Sequence, residues 1–254
     1  VDLVGPPAQW TTRMVSFDGV PDLFPDDAEP EFVDINRANI AAVTLQENNH
    51  VVLVHLPTGK IRKDWNAGSV DLEQVDTIEN ALVELDGILP EVPREPDAVT
   101  WISPSKLATA DEGDLDGGSR GFTIFSKNGG VSFTSGNSVE HLVTRLGHYP
   151  EERSENKGNE PEGIEFGTYR ANCPYLFVGS ERSSVIVVYT MRHSSQPRLV
   201  QVLPAGVGPE GLLAIPHRNL FVAASEVDDR GAAIRSIITL YQLEHGSPTY
   251  PTIM

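Results

Sequence analysis

The chain has one cysteine, Cys173, so it can close no intrachain disulfide. A lone Cys beside a strand ordinarily packs as a small buried hydrophobe, and the lack of disulfides does not by itself argue against an extracellular protein. No apolar run approaches the roughly 20 residues that a bilayer-spanning helix needs, so no membrane span is expected. Positive charge is scarce: 19 Lys and Arg stand against 36 Asp and Glu, for a formal net charge of −17. So acidic a chain is repelled by nucleic acid and anionic lipid and attracts cations. A P-loop, a dinucleotide fingerprint, an HExxH helix and an Asn-x-Ser/Thr sequon are all missing. The seven His residues, 50, 55, 141, 148, 193, 217 and 245, fall into no metal-ligand spacing. The chain opens on Val1-Asp2 rather than Met, as a processed or trimmed product would, and no signal peptide is read at its start.

What is present is a repeat. Four times a Pro is followed by an acid and an aliphatic residue: Pro30-Glu31-Phe32-Val33, Pro96-Asp97-Ala98-Val99, Pro161-Glu162-Gly163-Ile164 and Pro209-Glu210-Gly211-Leu212. Each phrase leads into an apolar strand that ends in a polar turn holding Glu47, Glu112, Glu181 or Glu226. Repeats of several tens of residues built from short strands mark a propeller or solenoid. Runs such as His50-Val51-Val52-Leu53-Val54-His55-Leu56 and Val185-Ile186-Val187-Val188-Tyr189 are apolar on both faces, as when sheets stack on sheets. The 22 Gly and 19 Pro lie between such runs and read as turns.

These features predict an all-β chain, one β-propeller domain over residues 1–254, made of four-stranded antiparallel blades. Four blades are readable, with a weaker fifth from Thr12 to Phe17. The propeller is expected to be incomplete or part of a seven-bladed one, within the roughly four to eight blades such folds take. A β-sandwich is the alternative, but it does not call for a repeated phrase. Two segments fit no blade. Residues 69–95 read as an inserted helix or loop, from the helical spacing of Ile78, Leu82 and Leu85, and residues 148–160 as a polar loop.

A radial repeat places equivalent residues around one axis, so Glu31, Asp97, Glu162 and Glu210 are candidates for a ring of carboxylates. Crowded carboxylates repel, and a divalent cation relieves the repulsion. The competing role is local, with each acid accepting backbone N–H bonds at a strand start. Glu112-Gly113-Asp114-Leu115-Asp116-Gly117 places acids at alternate positions before a Gly, as calcium loops do, but its twelfth position is Thr123 rather than Glu, so it is no EF-hand. Gly117-Gly118-Ser119-Arg120-Gly121 matches the nucleophile-elbow pattern but leads into a strand, not a helix, and is read as a false match. Arg120, Arg153, Lys157 and Arg182 lie in or beside the acidic loops, where basic groups either pair with the acids or hold a phosphate.

Val43-Thr44-Leu45-Gln46-Glu47-Asn48-Asn49, Gly113-Asp114-Leu115-Asp116-Gly117-Gly118-Ser119-Arg120-Gly121-Phe122, Asn156-Lys157-Gly158-Asn159-Glu160-Pro161-Glu162-Gly163-Ile164 and Gly179-Ser180-Glu181-Arg182-Ser183-Ser184 resemble the choice-of-anchor I family. That family is also labelled mesenchyme-specific cell-surface glycoprotein-like and is related to phytase-like esterase and YVTN-type propellers. The resemblance runs from about Glu29 to Leu243. It implies a secreted or cell-surface β-propeller whose channel-mouth acids hold calcium, with phosphate bound to the metal. On that basis the metal ligands expected are Glu47, Glu112, Asp114, Asp116, Glu162 and Glu181, with Glu210 by internal repetition, and Asp97 is added from the ring of repeated acids. The catalytic set expected is Glu162 or Glu181 as base, with Arg182 and Lys157 steadying charge. The partners expected are a divalent cation, a phosphoester substrate or an extracellular protein.

Overall fold

The computed structural model describes residues 3–192 and 196–243; His193 and His245 lie outside them. Blade one comprises β1 (Pro30–Ile35), β2 (Ile40–Leu45), β3 (His50–His55) and β4 (Lys60–Asn66). A ribbon of β5 (Ser69–Val75) and β6 (Gly87–Pro93) separates it from blade two, β7 (Val99–Ser103), β8 (Lys106–Asp111), β9 (Gly121–Ser126) and β10 (Val131–Thr134). Helix α1 (Ser138–Leu146) precedes blade three, β11 (Pro161–Tyr169), β12 (Cys173–Ser180), β13 (Val185–Thr190) and β14 (Arg198–Pro204). Blade four has β15 (Pro209–Ile215), β16 (Leu220–Ser225) and β17 (Ile237–Gln242). Every blade is an antiparallel meander of strands in sequence order, and together they form a β-propeller.

Each seam between blades has its own apolar core, which is why the strands are apolar on both faces. Val51, Leu53 and Trp65 of blade one meet Val99, Trp101, Leu107 and Phe125 of blade two. Ala108, Phe122 and Ile124 meet Ile164, Leu176, Val178 and Val187 across the second seam. Phe177, Ile186 and Val188 meet Phe221 and Ala223 across the third. The first strands β1, β7, β11 and β15 pack on one another in that order. Pro30, Pro161 and Pro209 are each the first residue of such a strand, an edge position where the missing N–H breaks no ladder bond.

Two sequence readings are corrected. Thr12–Phe17 forms no blade; Val15 and Phe17 instead cover the outer face of blade one, against Ala41, Leu45, Val52 and Val54. Residues 69–95 contain no helix. Ile78 and Leu82 are exposed, and the connection between β5 and β6 is held open by carboxylates: Asn80 and Ala81 donate their N–H to Glu151, and Glu84 donates to Asp76. A helical spacing with no partner surface does not make a helix. The helix lies at Ser138–Leu146, buries Val139, Glu140 and Val143, and closes on Gly147 at φ +72°, the left-handed cap that Gly supplies. Its apolar residues recur at helical intervals, a signal present in the sequence. The other face of blade four is bare: Leu213, Ile238 and Leu240 are 54%, 70% and 67% exposed.

Candidate functional site

The repeated acid has a backbone cause. In β11, Pro161 pairs with Ser180 and Gly163 with Gly179, so Glu162 is an extra residue. In β15 the same shift falls between Pro209 and Gly211, at Glu210, and in β1 between Pro30 and Val33, over Glu31 and Phe32. In blade two the Asp97 N–H donates to the Ala110 carbonyl while the Ala110 N–H donates to that of Ala98, two residues against one. Each phrase is therefore a β-bulge, a device that re-aims a side chain out of the sheet's alternation.

The re-aimed acids meet the turn acids of neighbouring strands. Oxygens of Asp97, Glu112 and Glu162 lie within 4.8 Å of one another, and so do oxygens of Glu112, Glu160 and Glu181. Glu112 belongs to both groups. Burial and then the neighbouring Glu226 raise the Glu210 pKa, and Glu162 opposes the rise. Against these acids stand few donors. Gln46 Nε2 donates to Glu112 Oε2 at 2.8 Å. Arg182 Nε donates to Glu160 Oε2 at 2.7 Å and its Nη1 pairs with Glu181 Oε1 at 2.7 Å. Arg153 Nε donates to Glu160 Oε1 at 2.7 Å.

Burial and mutual repulsion push protons onto this cluster. Burial, then the charges of Glu112, Glu31 and Glu210, raise Asp97 to about 7. Burial raises Glu112 to about 7 against the opposing Gln46 hydrogen bond, and raises Glu181 to about 7 against the opposing Arg182. Glu162 is pushed furthest, by burial and then by Glu112, Glu181, Glu210 and Asp97. Carboxylates this crowded and buried resist full ionisation.

Of the residues expected from sequence, Asp97, Glu112, Glu162 and Glu181 converge, and Glu210 reaches the group through Glu162. The structure places the others differently. Backbone N–H groups of Asp114, Leu115 and Asp116 all donate to the buried Glu95 carboxylate, at 2.6, 2.8 and 3.0 Å. The acidic loop is thus wound around the buried Glu95 side chain, and the Asp114 and Asp116 side chains lie outside the two carboxylate groups. Burial and then the adjacent Asp114 raise the Glu47 pKa. Lys157 Nζ donates to the Asp114 carbonyl at 2.6 Å and tethers that loop. Ser119 donates its hydroxyl to Asp111 at 3.0 Å and is 2% exposed, so it is no nucleophile. Arg120 is buried away from the cluster against Glu140.

Glu160 and Gln46 escaped the sequence reading, while Arg153, read there as a basic group that pairs with acids or holds a phosphate, pairs with Glu160. The signal for Glu160 was the residue before three of the four repeat prolines: Glu29, Glu95 and Glu160 precede Pro30, Pro96 and Pro161, while Gly208 precedes Pro209. Glu95 and Glu160 are 2% and 1% exposed, each at φ +43°. One organises the acidic loop and the other gathers two arginines.

Residues 105–194 match the model of a family described as Choice-of-anchor I domain. No curated protein matches the chain. Among solved structures, similarity extends to a putative 6-phosphogluconolactonase from Bacteroides uniformis, at 13% identity and TM-score 0.49 over 88% of this chain and 53% of that one. A catalytically inactive virginiamycin B lyase from Staphylococcus aureus, crystallised with quinupristin, is similar at 13% identity and TM-score 0.44, over 87% of this chain and 58% of that one. The chain spans a little over half the length of both.

Proposed function

We propose that this propeller binds a divalent cation, calcium by the chemistry of its donors, where the bulge acids and turn acids meet. The observation that carries the reading is the pair of carboxylate triads sharing Glu112, drawn from blades two and three, with more acids than bases among their neighbours. Oxygen-only carboxylate donors suit a hard cation such as calcium. Asp97, Glu112 and Glu162, or Glu112, Glu160 and Glu181, are the residues that would hold it. Gln46 and Arg182 orient Glu112, Glu160 and Glu181 by the hydrogen bonds and ion pair described. The similarity to the Choice-of-anchor I family over residues 105–194 supports a secreted or cell-surface setting.

The pH dependence follows from the raised pKa values. Across the window from the ordinary carboxylate range to about 7, Asp97, Glu112 and Glu181 bind protons in the folded state that the unfolded chain has released. Folding stability of the metal-free protein is therefore expected to be fully present near pH 4 and to fall as pH rises through 7. Saturating calcium at pH 8 reverses this. A ligand at a hundred times its Kd adds about 2.7 kcal/mol, and each kcal/mol shifts a chain of this size by about 2–4 °C, so Tm should rise by roughly 5–10 °C. At pH 5 protons compete and the shift should shrink. Calorimetry with calcium and with chelator, at both pH values, decides it; an unchanged Tm at pH 8 ends the reading.

A finer reading is hydrolysis of a phosphoester at the loaded site, favoured by the Arg182 guanidinium, 40% exposed beside the acids. A bound cation would supply charge stabilisation and a more acidic water. Arg182 would meet phosphate oxygens, and Glu181, with its pKa near neutrality, is suited to take a proton. Lys157, tied to Asp114, would hold the neighbouring loop in place. Calcium-dependent turnover of p-nitrophenyl phosphate or its bis-ester, lost in Arg182→Ala, is expected. If calcium binds and neither ester is cleaved, the chain is a calcium-stiffened binding module, the reading that the bare apolar face of blade four favours.

A further inference from the structure

We propose that two copies of this chain associate face to face through blade four. The repeat gives that face its role. The hairpin of second and third strands closes on the pairs Leu45–His50, Asp111–Gly121, Ser180–Val185 and Ser225–Ile237 in blades one to four. Three residues back from the first member, and one and three on from the second, stand Ala42, Val51 and Leu53 in blade one, Ala108, Phe122 and Ile124 in blade two, and Phe177, Ile186 and Val188 in blade three. None of these side chains is more than 5% exposed, and each set belongs to the apolar core of the seam with the following blade. The same positions in blade four are Val222, Ile238 and Leu240. There Ile238 and Leu240 are 70% and 67% exposed. Blade four thus carries a seam face with no sheet against it among the described residues.

The face is continuous and carries no charge. Gly211, Ala224 and Ile238 pair in one row across β15, β16 and β17, Leu213, Val222 and Leu240 in the next, and Ile215, Leu220 and Gln242 in the third. Adjoining apolar side chains left in water mark an interaction surface.

A second copy fits this face in charge and in shape. Each copy carries a net charge of −17, so two copies repel wherever acids meet, and this face has none. Blade one offers no docking surface at the other end, because Val15, Phe17, Val20 and Ala28 cover its Ala41, Leu45, Val52 and Val54. The sheet face that a copy has to offer is therefore its own blade four. Two like faces related by a two-fold axis make a self-complementary contact, with the sheets about 10 Å apart. Three strands of this length give a footprint of roughly 14 Å by 20 Å, short of the ~800 Å² per partner of a standard interface. The dimer is accordingly weak and forms at high protein concentration.

Sedimentation equilibrium of the whole chain tests this, with chelator present to remove any bridging of copies by calcium. The average mass should rise from monomer toward dimer between about 10 µM and about 1 mM, the range for so small an interface. Added salt should tighten the association, because it screens the repulsion between like-charged copies; a contact built on ion pairs would loosen instead. Leu240→Lys and Ile238→Lys should each abolish it, since either sets an unpaired ammonium in the contact. Both side chains stand in water in the single copy, so the variants keep the fold, which melting curves verify. Ile88→Lys, at a site 64% exposed on β6, should change nothing. A chain still monomeric at the top of the concentration range leaves the face to a different polypeptide and overturns the proposal. So does association that survives Leu240→Lys, or association that salt weakens.

Discussion

Glu112→Gln should reduce calcium affinity by more than the roughly 10–100-fold that loss of an outer-shell partner costs, and should at the same time stabilise the metal-free protein at pH 8. The two effects have one origin. Glu112 is the member common to both carboxylate triads, and its charge is among the causes that raise Asp97, Glu162 and Glu181. Gln keeps the shape and an oxygen for the Gln46 amide, but it carries no charge. At pH 8 the wild-type side chain is largely ionised in a buried, negative setting, so neutralising it relieves repulsion and Tm should rise. At pH 5, below its pKa of about 7, the wild-type group is already protonated and the variant should melt with it. Asp116→Asn is the control, since that side chain lies outside both triads, and it should change neither quantity. Calorimetric titration and melting at the two pH values give all four numbers. Wild-type calcium affinity in Glu112→Gln would remove this cluster as the cation site.

Arg120→Met is expected to destabilise the fold by about 3–5 kcal/mol, the cost of stripping one partner from a buried ion pair. Arg120 and Glu140 are 1% and 0% exposed, 3.0 Å apart. The same guanidinium donates to the Asp76 carbonyl at 2.6 Å and to the Ser154 carbonyl at 2.7 Å. It thus joins the β5–β6 ribbon, α1 and the loop that leads to Glu160. Met fills part of the volume and none of these bonds, leaving the Glu140 carboxylate to the Asp76 N–H alone, at 2.9 Å. Burial already raises the Glu140 pKa, opposed by Arg120; without Arg120 it rises further. A raised folded pKa costs stability as pH increases through it, so the deficit should be larger at pH 8 than at pH 5. Urea unfolding at both pH values checks the size and the trend. A deficit under about 1 kcal/mol, typical of an exposed pair, would show that the pair is not dry.

The blades were legible because each carries its own local signs. Pro at the strand start, apolar runs buried on both faces and a polar turn recur with each unit, and β3 and β13 appear where His50-Val51-Val52-Leu53-Val54-His55-Leu56 and Val185-Ile186-Val187-Val188-Tyr189 predict them. The segment at residues 69–95, read as an inserted helix or loop, forms a separate ribbon with a loop, because helical spacing at Ile78 and Leu82 is a statement about periodicity, and periodicity makes a helix only where a surface waits for the apolar stripe. Val139 and Val143, which do face such a surface, belong to the helix that forms.

For the site, sequence alone determined that an acid recurs at one point of every unit, and the bulge that re-aims it follows from that local phrase. Which acids meet was decided by tertiary structure. Glu112 and Glu162 come from adjacent blades, and their approach depends on how β7 and β11 pack, a distance no stretch of either unit encodes. Asp114 and Asp116, acidic and correctly spaced, were turned away because three of their loop's N–H groups close on Glu95, a residue from before the strand pair. Glu160 was drawn in because Arg153 and Arg182 hold it from two sides. A backbone rule that acts within a few residues can be read along the chain; a balance of charges gathered from distant segments exists only once the chain has folded.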